Sequence, residues 1–179
     1  RFGRGWLRPG GVRHAIDAVR RQDLIDTLLA FARDFAQVNA LMLGARSVRS
    51  RLIGTGIVAT QAARELGLVG LAARASGVAR DSRHELPGRL YVEHPLPLHT
   101  EEGGDCWARM RLRMREIEAS LGWLQQQLGG AADLASAALP PIGPLLPERL
   151  CISVREGFRG PVVQVLETGA DGRLLHCKV

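Results

Sequence analysis

Several things are scarce in this sequence, and each scarcity removes a class of function. Aromatic residues make up only 4%, too few for the stacking platforms that hold single-stranded nucleic acid. Lysine is nearly missing: Lys178 is the single one among 24 basic residues. Basic residues never run longer than the pair Arg20-Arg21, so the net charge of +6 is spread along the chain and forms no polyanion-binding tail. Arg, Ala, Gly and Leu are abundant together, the mix that GC-rich coding produces, so no nucleic-acid partner is expected. The three cysteines, Cys106, Cys151 and Cys177, form no C-x-x-C pair. Zinc, iron–sulfur and dithiol readings therefore lack local support, and reduced thiols of a cytoplasmic protein are expected. No apolar run approaches the roughly 20 residues of a spanning helix. The segment from Arg1 to Trp6 lacks the apolar core of a signal peptide. Membrane association is expected only through partners.

The familiar catalytic signatures are missing too. The histidines, His14, His84, His94, His99 and His176, include no H-x-x-x-H and no helical pairing with a carboxylate, so no metal site is assigned. Hydrolase and phosphate-loop motifs are absent. Gly54-Thr55-Gly56-Ile57-Val58-Ala59 matches the dinucleotide pattern G-x-G-x-x-A. That motif needs a buried strand before it, and the residues from Ala45 to Arg51 are charged. A plain turn is the better reading.

What is there suits a globular chain. With 179 residues, 46% of them apolar, it can form one domain or one domain with a small subdomain. From Asp23, Leu24, Leu28, Phe31, Phe35, Val38 and Met42 recur at steps of three and four, predicting a helix that stops at Gly44. A short charged helix from Ala45 to Leu52 follows. Thr60 is expected to cap another that ends at Gly67. Residues 67–103 are rich in Gly and Pro and read as irregular. Asp105 then caps the clearest helix, whose stripe Trp107, Met110, Met114, Ile117, Leu121, Leu124 and Leu128 ends at Gly129-Gly130. Residues 131–147 read as an Ala/Pro-rich linker. Residues 148–179 switch to alternating periodicity, with Asp171-Gly172 as a hairpin turn. The expected class is α+β: a mostly helical body over residues 1–130 and a small C-terminal antiparallel sheet.

The remaining signal is charge set among Gly, Ala and Ser. Arg74, Asp81, Arg83, Glu156 and Arg159 are candidates for a convergent ion-pair cluster. Asp105, Arg109, Arg113 and Glu116 on the long helix are candidates for structural charge pairs. Arg forks with few competing lysines suit bidentate, partly buried pairing. A structural network alone explains such a pattern; a buried network that moves protons is the functional alternative. No catalytic residue is demonstrable.

Five islands, in this order, resemble one known family. They are Arg8-Pro9-Gly10-Gly11-Val12; Gly54-Thr55-Gly56; Arg74-Ala75-Ser76-Gly77-Val78 with Asp81 and Arg83; Gly104-Asp105 with Arg109, Arg113, Glu116 and Ser120; and Glu156-Gly157-Phe158-Arg159-Gly160. The family is the large subunits of the nickel–iron hydrogenase and respiratory NADH–quinone oxidoreductase superfamily. The segments Arg1 to Trp6, Ala73-Arg74-Ala75 and Trp107-Ala108-Arg109 look closer to its membrane-bound, formate hydrogenlyase-like side. Where the respiratory type carries an aspartate tied to quinone chemistry, this chain has Ala15. The resemblance implies a central-to-C-terminal part of a hydrogenase large-subunit fold. It implies a fragment inactive alone that scaffolds a redox site, docks a small iron–sulfur subunit among other subunits, and receives quinone- or NADH-linked electrons only indirectly. It would lie peripherally on the cytoplasmic face of the inner membrane. No cofactor is expected in this segment, since the two C-x-x-C pairs of the hydrogenases are not in it. A nickel–iron centre or neighbouring 4Fe-4S cluster belongs to the full complex. The rival reading is a stand-alone basic binding or scaffolding domain with no redox role.

Overall fold

A computed structural model describes residues 7–8, 11–12, 16–130 and 143–179. Most of the linker assigned to 131–147 and Pro9-Gly10 of the Arg8–Val12 motif lie outside them, as do residues 1–6, His14 and Ala15. Two short strands, β1 (Leu7–Arg8) and β2 (Gly11–Val12), pair antiparallel. Helix α1 (Ala18–Gly44) starts five residues before the expected point. The Asp17 carboxylate accepts a hydrogen bond from Arg20 N at 2.8 Å, and a side-chain cap of this kind fixes a helix start whether or not the first turn is apolar.

The short helix α2 (Arg46–Leu52) follows at once. Helix α3 (Thr60–Glu65) is entered from Ala59 with no side-chain cap, so Thr60 is its first turn rather than its cap. The stretch expected to be irregular is punctuated by three short helices: α4 (Gly70–Ala75), α5 (Ser82–Glu85) and α6 (Arg89–Glu93). Helix α7 (Cys106–Gly130) is the central rod; α1, α2 and α4 all contact it.

The core is small. Leu71 and Ala75 of α4 meet Ala108 and Leu112 of α7. The expected Trp107–Leu128 stripe is only partly covered: Leu121 is buried, whereas Trp107, Met110, Met114, Ile117 and Leu128 are intermediate and Leu124 is exposed. The deepest line on α7 instead passes through Ala108, because a small residue lets two helices approach closely. Gly104, just before α7, shows the same demand: its φ of +61° is left-handed, and a Cβ there would collide with the carbonyl of Val58. Only glycine fits both constraints.

The chain ends in an antiparallel sheet of β3 (Leu150–Gly157), β4 (Gly160–Thr168) and β5 (Leu174–Lys178) in that order. Val154 opposes Val163 and Ile152 opposes Val165. Asp171 Oδ1 accepts from Arg173 N at 3.0 Å in the turn before β5. The tip of the β3–β4 hairpin seats on α4, where a Cβ on Gly70 (φ +63°) would strike the carbonyl of Arg159. That contact, and those between α5 and β3, bring the sheet's inner end against the helices.

Candidate functional site

The hairpin seat carries the strand-end residue Glu156 into the helical body. The only buried cation among the described residues waits there: Arg74 of α4 is 3% exposed. Its Nε donates to Glu116 Oε1 of α7 at 2.8 Å. Its Nη1 donates to Glu156 Oε1 at 3.1 Å and to the Arg80 carbonyl at 3.0 Å, and lies 3.3 Å from Asp81 Oδ2. One guanidinium thus serves three carboxylates from three parts of the chain.

Each acid has a further partner or a place near one. Glu156 Oε2 accepts from Ser82 N at 3.0 Å and from Ser82 Oγ at 2.6 Å. Asp81 caps α5 by accepting from Arg83 N at 2.9 Å, and Arg83 grips the same carboxylate through Nε at 2.9 Å and Nη2 at 2.6 Å. Burial pushes the Asp81 carboxyl up, but the Arg83 hydrogen bonds and the charges of Arg83 and Arg74 outweigh it and hold the group below its ordinary value. Arg83 is raised in turn, chiefly by its hydrogen bond to Asp81, with the Glu116 charge adding to it. Two guanidiniums face three carboxylates, leaving one net negative charge. Such a network is costly to desolvate and stable only while every member is paired.

Of the five candidates for convergence, Arg74, Asp81, Arg83 and Glu156 meet. Arg159 does not: it is exposed in the hairpin turn and forms no ion pair among the described residues. Glu116, grouped above with the helix pairs, belongs to the Arg74 cluster. The other members of that group diverge. Asp105 caps α7 by accepting from Ala108 N at 2.7 Å and reaches across to Gly54 N at 2.7 Å. Burial raises its pKa, but these backbone donors and Arg109 pull it lower overall. Arg109 Nη2 donates to the carbonyls of Gly56 and Gly104 at 2.8 and 2.9 Å. Asp105 and Arg109 therefore hold the Gly54-Thr55-Gly56 turn by its backbone. Arg113 places its guanidinium carbon over the Phe158 ring, 4.0 Å from the centroid.

Two participants escape sequence reasoning. Ser82 gives both its donors to Glu156, and its place after Asp81 is the one available hint. Glu101 receives Arg115 at 3.0 Å and Arg111 at 3.4 Å; nothing in its local sequence marks it. Cys106, Cys151 and Cys177 are free thiols, and no group of three His, Cys, Asp or Glu side chains among the described residues could hold a metal ion. The donor set here does not fit a nickel–iron centre or an iron–sulfur cluster.

Comparison with known proteins agrees with the family that the motifs resemble. Residues 1–138 match the model of the respiratory-chain NADH dehydrogenase 49 kDa subunit family. This chain belongs to that family. It is 29% identical over 160 residues to a subunit of the F(420)H(2) dehydrogenase of Methanosarcina mazei, covering 89% of this chain and 39% of that protein. It is 33% identical over 127 residues to an NADH-quinone oxidoreductase subunit of Methylobacterium sp., covering 69% of this chain and 31% of that one. Against the NADH-ubiquinone oxidoreductase 49 kDa subunit of Cafeteria roenbergensis it is 29% identical over 116 residues, or 65% and 29% of the two chains. The chain thus spans between a quarter and two fifths of these relatives' length. Their names are those of F(420)H(2) dehydrogenase, NADH-quinone oxidoreductase and NADH-ubiquinone oxidoreductase subunits. Among the described residues, no helix is long and apolar enough to cross a membrane.

Proposed function

We propose that this chain forms part of a large subunit of a quinone-linked dehydrogenase complex, in which it scaffolds the redox site and docks an iron–sulfur subunit. Family membership supports the first part. The apolar side chains that α1 leaves in solvent, among them Phe31, Val38 and Leu41, support docking, since a monomer rarely exposes such a surface. The complex would sit peripherally on the cytoplasmic membrane face, with electrons arriving from NADH or a related donor and leaving to quinone. Any nickel–iron or 4Fe-4S centre would be held by residues outside the described set.

The observation that carries the chemical side of this reading is the buried Arg74 shared by Asp81, Glu116 and Glu156. With two guanidiniums for three carboxylates the cluster keeps one net negative charge, which a proton arriving with a neighbouring redox event would offset while Arg83 and Ser82 keep its geometry. In this role the cluster couples charge movement at a neighbouring redox centre to proton movement. The test is Glu156→Gln in the assembled, membrane-bound complex. Turnover should fall at least about tenfold, in the range of a lost proton-transfer group, while the amount of complex on a native gel stays near wild type. Turnover and assembly declining in proportion would leave only a scaffold. Failure of the full-length protein to co-purify with an iron–sulfur subunit would favour a binding domain with no redox role.

A further inference from the structure

Next to the Arg74 cluster lies a cavity of about 410 Å³ between α7 and the β3–β4 hairpin. Its floor is charged and its wall is aliphatic, formed by Ile117, Leu121 and Leu124 of α7. Three guanidiniums, Arg74, Arg83 and Arg113, line it with two carboxylates, Glu116 and Glu156; Asp81, bonded to Arg74 and Arg83, balances the third charge. The carboxylates are already engaged by Arg74 and Ser82. Arg113 is not: its guanidinium carbon lies over the Phe158 ring, 4.0 Å from the centroid, and it has no hydrogen bond or ion pair among the described residues. A cation–π contact takes up none of the guanidinium's N–H donors in a hydrogen bond, and a planar fork with free donors can receive a carboxylate bidentately. Arg83 adds Nη1, since its other two nitrogens are committed to Asp81.

We infer that this cavity is a binding site for a small amphipathic carboxylate, with the anion on the edge of Arg113 and a flat apolar body against Ile117, Leu121 and Leu124. Its size and its mix of apolar wall and few convergent polar groups are those of small-molecule sites. The inference stands apart from the redox reading, because it needs only the pocket and the unpaired arginine.

The test uses the full chain and two probes that share a naphthalene body, one ending in a carboxylate and one in a neutral hydroxymethyl group, 2-naphthoate and 2-naphthalenemethanol, followed by titration calorimetry. The carboxylate should bind at least about tenfold more tightly than the alcohol. Arg113→Gln should erase that difference by weakening 2-naphthoate about tenfold and leaving the alcohol unchanged. Leu124 is 40% exposed, so Leu124→Glu tests the wall without threatening the fold, and it too should weaken 2-naphthoate at least about tenfold. Equal affinity for the two probes would overturn the assignment, as would undiminished 2-naphthoate binding in either variant, or no binding of 2-naphthoate to the wild-type chain.

Discussion

The centre of this molecule and its flanks are held by different forces. Around α4 and α7 the buried set is nearly as much polar as apolar: Arg74, Ser76, Asp81, Ser82 and Asp105 lie among Leu71, Ala73, Ala75, Ala108, Leu112 and Leu121. On the flanks, large apolar side chains face solvent. Among the described residues of α1 only Asn39 is buried, held by Glu118 at 3.0 Å, and in the sheet Leu150, Ile152 and Leu175 are all more than half exposed. The contrast teaches where cohesion and function divide. The centre is cross-linked by directional bonds that tolerate few substitutions. The flanks carry hydrophobic surface that stabilises this chain only when something covers it.

The comparison is broken most severely at the centre. Leu112, fully buried against α4, should not accept a charge: Leu112→Asp is expected to cost about 5 kcal/mol or more, on the order of total stability, and to abolish soluble, helical protein by circular dichroism. Arg74→Met comes next. It takes the shared cation from three carboxylates and strands Glu116 and Glu156, Asp81 keeping Arg83, and should cost about 3–5 kcal/mol in urea unfolding, partly recovered at a pH low enough to protonate them.

A pH scan sharpens the contrast. Asp81 and Asp105 have folded pKa values below their ordinary value of 3.8. The stability they contribute is therefore fully present above that value and is lost as pH falls through the lower, folded value. Melting temperature should stay level through neutral pH and drop most steeply below about pH 4, and Asp81→Asn should flatten that drop. A drop centred near pH 6 instead would point to other groups. The smallest effect belongs to the flank: Leu41, 73% exposed, should tolerate Leu41→Glu within about 0.5 kcal/mol, while sedimentation shows less self-association than the wild type.

Much of this division is legible in the sequence, for identifiable reasons. Asp105 before a regular apolar period marks α7 because a cap and a 3.6-residue repeat are both local signals. The switch to alternation after residue 148 marks the sheet in the same way. The convergence of Arg74, Asp81, Arg83 and Glu156 is suggested by charges lodged among Gly, Ala and Ser. Beyond Ser82 and Glu101, three things are not legible. Glu116 joins Arg74 from 42 residues away, and its place on an Arg-rich helix suggests nearer partners. Arg159 sits three residues beyond Glu156, but the turn between them leaves its side chain in solvent. The buried line of α7 runs through Ala108 rather than the larger residues of the stripe, because close helix packing is set by the smallest side chains, which periodicity weighs least.

The central claim is that Arg74 and its carboxylates act as one unit tying α4 to the β3 strand. A double-mutant cycle of Arg74→Met and Glu156→Gln, read by urea unfolding of the full chain, measures that directly. The account predicts a coupling of at least about 1 kcal/mol, with the double variant less damaged than the sum of the single ones. Additivity within about 0.3 kcal/mol, the behaviour of independent sites, would contradict it.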